Sequence, residues 1–186
     1  MGYSISWLAC RGLTAQVAYQ RLALTETTRT AEYARAQLTA HGLPDGWHLI
    51  VADRCDHTII QAPSLAALSV GCEVVACSIE EHVMVCSAEL WREGTRRWRV
   101  EHSSEKGRAH LQTQGELPDG MAAWVAGAEA AQTADPDVDA YFDVPLQAAL
   151  QLTGFKHEET HPALNYDAFL VLEPEGGARK WWHWGR

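Results

Sequence analysis

The sequence predicts an α+β domain, an antiparallel sheet of about six strands with helices mainly on one face. Three observations predict it. Segments such as Tyr3 to Ala9 and Arg97 to His102 alternate apolar and polar residues, the period of a half-buried strand. The middle third runs strand, break, strand, turn, strand, which is a meander. Helical segments that are Ala-rich or begin at Pro lie between and after these strands, punctuated by Gly and Pro.

In chain order, Tyr3 to Ala9 is a first strand, with Tyr3, Ile5 and Trp7 on one side. Thr14 suits the N-cap of a helix carrying Val17, Leu22 and Leu24. Thr25 to His41 is polar and Thr/Ala-rich, and its sparse tyrosine and leucine suggest a surface helix or loop. Leu43-Pro44-Asp45-Gly46 is a turn, and Trp47 to Ala52 is a second strand. Pro63-Ser64 opens a short helix through Leu65 and Leu68 that closes near Gly71.

Glu73 to Ile79 and Val83 to Trp91 are strands separated by the acidic break Glu80-Glu81. Glu93-Gly94-Thr95 is a hairpin turn into Arg97 to His102, which places Trp98 and Val100 inward and Arg97, Arg99 and Glu101 outward. Lys106-Gly107 turns into a strand from Arg108 to Thr113. Leu117-Pro118-Asp119-Gly120 repeats the earlier turn tetrapeptide, but the flanks do not match, so no internal repeat follows. An Ala-rich helix from Met121 to Thr133 stops at Asp135-Pro136-Asp137. A further helix runs from Pro145 to Leu152, with Gly154 just past its end, and Tyr166 to Leu172 is a last strand. No linker separates two domains.

The chain has 186 residues, 47% of them hydrophobic, which is ordinary globular usage for one domain. A formal charge of −9 disfavours phosphate backbones and anionic membranes and favours a basic partner or plain solubility. Eight tryptophans supply large amphipathic plates for core or interface. Five cysteines, an odd count with no C-x-x-C pair, point to free thiols and a reduced cytoplasm. No run is long and apolar enough to span a bilayer, and Met1 to Cys10 lacks the basic and apolar regions of a signal peptide. Met1-Gly2-Tyr3-Ser4-Ile5-Ser6 fits a loose myristoylation pattern, but equally that of a buried first strand.

Four segments are distinctive: LPDGWHLIV (Leu43 to Val51), LSVGCEVVACSIEEHVM (Leu68 to Met84), SAELWREGTRRWRVEH (Ser87 to His102) and DVPLQAALQLTGFKH (Asp143 to His157). On these the chain resembles a group of uncharacterised bacterial cytoplasmic proteins. The resemblance covers roughly a third of the chain. It implies a prokaryotic origin, speaks further against myristoylation, and brings no activity with it.

Several constellations could carry chemistry. His157-Glu158-Glu159-Thr160-His161 is a literal H-E-x-x-H, which on a helix sets two imidazoles one turn apart with a Glu as general base. Pro162 after it and Gly154 before it leave no room for that helix, so His157 and His161 are not expected to share a metal. The alternative of a small metal-dependent hydrolase would rest on His157, Glu158 and His161. Asp135, Asp137, Asp139 and Asp143 follow an EF-hand-like register, but Ala140 and Leu146 replace its Gly and bidentate Glu. Asp53-Arg54-Cys55-Asp56-His57 could form a thiol–imidazole pair after a strand, with no third residue to orient it. Arg92, Arg96, Arg97 and Arg99 beside Trp91 and Trp98 could stack on a nucleobase, yet cross-strand pairing with Glu89, Glu93 and Glu101 is the commoner use.

Without a coherent catalytic set, the expected function is a non-enzymatic binding protein of the bacterial cytoplasm, with no cofactor. Its concrete form is an immunity-type protein meeting a basic partner through Asp135, Asp137, Asp139 and Asp143. Trp181, Trp182 and Trp184 are expected either to fold back or to serve a partner or a second copy of the chain.

Overall fold

The computed structural model describes residues 2–176; Trp181, Trp182 and Trp184 lie outside the described residues. The chain is α+β, built on one antiparallel sheet. Among the described residues the sheet has nine strands rather than about six: β1 (Ser4–Arg11), β2 (Leu24–Ala31), β3 (Leu38–Gly42), β4 (Trp47–Ala52), β5 (Glu73–Glu80), β6 (Val85–Arg92), β7 (Thr95–Ser103), β8 (Gln112–Gly115) and β9 (Phe169–Pro174). Their spatial order is β2-β9-β3-β4-β1-β5-β6-β7-β8. The helices are α1 (Ala15–Arg21), α2 (Ala62–Leu68), α3 (Met121–Ala134) and α4 (Asp143–Thr153).

The central strands are apolar on both sides, which decides where the helices go. Along β1, Ile5, Trp7 and Ala9 enter one core, while Leu8 and Cys10 enter a second core on the opposite face. The first core is closed by Val144, Leu146, Ala148 and Ala149 of α4 and by Met121 and Ala128 of α3. The second is closed by Ala18 and Tyr19 of α1 and by Leu65 and Leu68 of α2. Helices therefore cover both faces, not mainly one, because a strand buried on two sides must be covered on two sides.

The segment expected to be a surface helix or loop holds two strands instead. β2 is an edge strand that buries only Leu24, and β3 pairs with both β4 and β9. The opposite edge, β8, is four exposed residues long; short polar edges of this kind discourage pairing with other chains. At Gly115 (φ +80) an added Cβ would lie 1.9 Å from the Arg97 carbonyl oxygen, so only glycine fits this approach to β7.

The hairpin reading of the middle third holds. Glu93 (φ 50) and Gly94 (φ 70) form the two-residue loop between Arg92 and Thr95, as a type I′ turn requires. Trp98 and Val100 are buried in the first core, and Arg97 is exposed. A register shift lies at Leu90/Trp91, beyond the inward-facing pair. Thr14 accepts the Val17 N–H as the α1 cap, and Gly154 closes α4 in the left-handed conformation.

Candidate functional site

The most chemically loaded region follows α4. After Gly154, Phe155 is fully buried and packs edge-on against Trp7, with ring centroids 5.2 Å apart. That anchor draws the next two residues inward. The Lys156 ammonium meets Asp143 at 2.7 Å, Glu158 at 2.8 Å and Glu159 at 3.3 Å, with only 8% of its side chain exposed. Burial by itself would lower the lysine pKa, but the hydrogen bonds and charges of Asp143 and Glu158 outweigh it and hold the pKa above the ordinary lysine value.

The His157 side chain is fully buried, and its Nε2 lies 2.8 Å from Glu81 Oε1. Glu81 sits in the β5–β6 turn, and its other oxygen accepts the Tyr3 N–H at 2.7 Å. The Tyr3 ring stands edge-on to the imidazole at 5.2 Å. His157 Nδ1 is buried with no hydrogen-bond partner among the described residues. Ligand-capable atoms of Glu81, His157 and Glu158 lie within 4.8 Å of one another.

His161 is not part of that group. Residues 157–161 are turn and irregular backbone, not helix, so one-turn imidazole stacking does not arise. The His161 Nδ1 instead accepts the Ala163 N–H at 3.1 Å, and the His161 N–H donates to the Tyr166 hydroxyl. In the sequence His157 and Glu158 stand out within H-E-x-x-H, whereas Glu81 reads only as part of the acidic break, with no local sign that it meets a histidine 76 positions away.

The acidic strip is divided by the fold. Asp135 and Asp137 are exposed, with Asp135 Oδ1 accepting the Asp137 N–H at 3.0 Å. Asp139 turns inward, which corrects its placement on an open surface. Its Oδ2 accepts the Ser104 hydroxyl and lies 3.1 Å from Nε2 of the fully buried His102. Nδ1 of that ring faces the His110 carbonyl at 2.8 Å. Asp143 is half-exposed and engaged by Lys156 and by the Gln147 amide. Carboxylates with such different partners do not converge as an EF-hand loop would require.

The thiol–imidazole pair is not made. The Cys55 thiol donates to Glu80 at 3.5 Å, and burial raises its pKa, which disfavours the thiolate. His57 Nδ1 caps a 3-10 turn by accepting the Ile59 N–H. Glu80 also accepts from the Ser4 hydroxyl and lies 2.6 Å from His82 Nδ1, and these contacts hold its carboxyl down to about 2.

Arg92, Arg96 and Arg99 form cross-strand ion pairs, although with partly different acids, and Arg99 also pairs along its own strand. Arg96 and Arg99 share the buried Glu89 at 3.3 and 3.6 Å, Arg99 reaches Glu101 at 2.8 Å, and Arg92 pairs with Glu73. Glu93 instead accepts the Gly71 N–H. A cleft of about 270 Å³ opens beside them on the sheet face, bounded by Cys55, Gln61, Ser87, Glu89 and Arg99.

On the other face α3 is thinly anchored: of its fourteen residues only Met121 and Ala128 are buried. Its Ala-rich sequence holds a helix by propensity where packing contributes little. Between α3 and α4 lies an open groove of about 350 Å³, lined by Trp124, Gly127, Ala128, Ala131 and Val144, with Asp143 at its border. Trp124 folds back over Gly120, where an added Cβ would sit 2.3 Å from the indole. Among the described residues no helix is long and apolar enough to cross a membrane. No family model, curated protein or solved structure matches the chain.

Proposed function

We propose that the chain is a non-enzymatic binding protein whose α3–α4 face receives a basic protein partner, with inhibition of a basic toxin as the concrete immunity-type form. The observation that carries this is α3 itself, a long helix with two buried residues beside an open apolar groove. Its surroundings are acidic. Asp135 and Asp137 are exposed at its C-terminal end, and Asp143, Glu158 and Glu159 together outnumber the one Lys156 they surround. An apolar strip bordered by carboxylates suits a partner segment with apolar anchors and flanking Lys or Arg. The functional acidic set is thus Asp135, Asp137 and Asp143 with Glu158 and Glu159, without Asp139.

The test uses a partner captured from a bacterial lysate with the wild-type protein. Ala131→Arg places a cation in the groove at an exposed position and should abolish capture with the fold unchanged by circular dichroism. The Asp135→Asn/Asp137→Asn variant should slow association several-fold and flatten its salt dependence, because exposed charges steer encounter. A partner that binds both variants as it binds wild type would refute this assignment of the surface.

A further inference from the structure

We infer that Glu81, His157 and Glu158 form a binding site for one zinc-class divalent cation, linking the β5–β6 turn to the segment after α4. The site differs from the partner surface proposed above but shares Glu158 with it.

Three observations converge. The ligand-capable atoms of these residues lie within 4.8 Å of one another, although Glu81 and His157 are 76 positions apart. The imidazole is fully buried and turns its Nε2 to the Glu81 carboxylate, so a nitrogen donor and an oxygen donor already face each other. One oxygen of Glu81 is fixed by the Tyr3 backbone N–H, and Tyr3 stacks edge-on to the ring, so the nitrogen–carboxylate pair is held in orientation before any ion arrives.

The donor set selects the metal class. One imidazole nitrogen with two carboxylates suits zinc and its neighbours in the first transition row. Calcium and magnesium require six or more oxygens or an octahedral shell, which three ligands with one nitrogen do not supply. Zinc bonds of about 2.0–2.1 Å in a tetrahedron separate ligand atoms by roughly 3.3 Å. His157 Nε2 and Glu81 Oε1 stand 2.8 Å apart, so entry of the ion needs a small widening. Glu158 is half-exposed and completes the set from the solvent side. Lys156 need not leave, because Asp143 at 2.7 Å and Glu159 at 3.3 Å retain it when Glu158 is shared. The fourth position would belong to water.

The probes are Zn²⁺ and Co²⁺ added to the untagged full-length protein. Calorimetry should find one bound ion, and Co²⁺ should develop the visible bands of a low-coordinate site. The His157 imidazole resonances should shift on Zn²⁺ addition, and excess Mg²⁺ should not compete. Glu158→Gln, at an exposed position, should weaken binding at least tenfold without altering the fold. Glu81→Gln should weaken it similarly, and His157→Gln should abolish it. Cys55→Ser should leave binding unchanged, because that thiol belongs to the separate Glu80 cluster. If His157→Gln fails to fold, the two glutamate variants decide the matter. No binding at 100-fold excess of ion, or undiminished binding in both glutamate variants, would overturn the site. Loss of binding in Cys55→Ser would move it to the Cys55 cluster. Partner capture by Glu81→Gln is expected to stay intact, which separates failure here from failure of the α3–α4 surface.

Discussion

Replacing Lys156 by Met tests whether the post-α4 segment is held by charge. Methionine keeps the length of the stem and removes only the ammonium. Asp143, Glu158 and Glu159 then face one another around a point that lay within 3.3 Å of all three. Two like charges about 5 Å apart repel by roughly 1 kcal/mol in water and about 3 kcal/mol at an effective dielectric of 20. These carboxylates are 42%, 50% and 55% exposed, so the aqueous end of that range applies to each pair. Breaking a fully buried pair costs about 3–5 kcal/mol, which is a ceiling here; the discounted expectation is about 2–3 kcal/mol. Urea unfolding at pH 7, followed by tryptophan fluorescence, reads the loss directly. Raising the salt to about 1 M shortens the screening length to about 3 Å and should recover part of the loss. The Lys156→Met/Glu158→Gln double variant should recover about 1 kcal/mol by removing one of the three charges. A loss below about 0.5 kcal/mol would refute the electrostatic account. So would a loss indifferent to salt and to Glu158→Gln, which would mean that the segment is held by Phe155 alone. The same variant removes one positive charge beside the α3–α4 groove and leaves its net charge one unit more negative, so a basic partner should associate faster with it.

Three further perturbations probe the frame. Trp98→Ala removes a 3% exposed indole from the first core and should cost about 3–5 kcal/mol in equilibrium unfolding, enough to threaten a domain of ordinary stability. Glu80 has a folded pKa of about 2 against an ordinary value of 4.5, so its contribution is present above pH 4.5 and is lost as pH falls toward 2; Glu80→Gln should flatten the wild-type stability loss across that window in urea titrations. In native alkylation only the half-buried Cys55 should react, and slowly, because Cys10, Cys72, Cys77 and Cys86 are buried with raised pKa values; rapid modification of two or more thiols by mass spectrometry would contradict this.

The legible parts of the fold were those where local chemistry decides conformation. The Glu93-Gly94 turn, the Thr14 cap and the Gly154 terminus each follow from one or two residues, and each lies where expected. The strands missed were decided elsewhere. β2 reads Leu-Thr-Glu-Thr-Thr-Arg-Thr-Ala and buries one side chain. Its strand state comes from pairing with β9, 138 to 150 residues away, as in the Thr27 hydroxyl donating to the Val171 carbonyl at 2.8 Å. Such long-range pairing leaves no period in the local sequence. The repeated Leu-Pro-Asp-Gly illustrates the same limit. At Leu43 it bends the chain between β3 and β4 with Asp45 and Gly46 at positive φ, whereas at Leu117 it leads into α3 with Gly120 in the right-handed region.

The candidate site was half legible for a related reason. His157-Glu158-x-x-His161 has the right residues for metal chemistry, but the helix that would align its imidazoles ends at Gly154. What orients His157 is Phe155, whose burial against Trp7 turns the following residues into the protein instead of along its surface. The carboxylate that meets His157 comes from Glu81, in the acidic break between β5 and β6. In sequence that break reads as a polar bend, and nothing local distinguishes Glu81 from Glu80. In space the two diverge: Glu80, on β5, turns to Ser4, His82 and Cys55, whereas Glu81 turns to Tyr3 and His157. Successive residues at a strand end point to opposite faces, so adjacent identical side chains are delivered to two separate clusters. The strand register that pairs Ser4 with Glu80 is therefore what decides which glutamate can meet the imidazole, and a one-residue slip of β1 against β5 would exchange them.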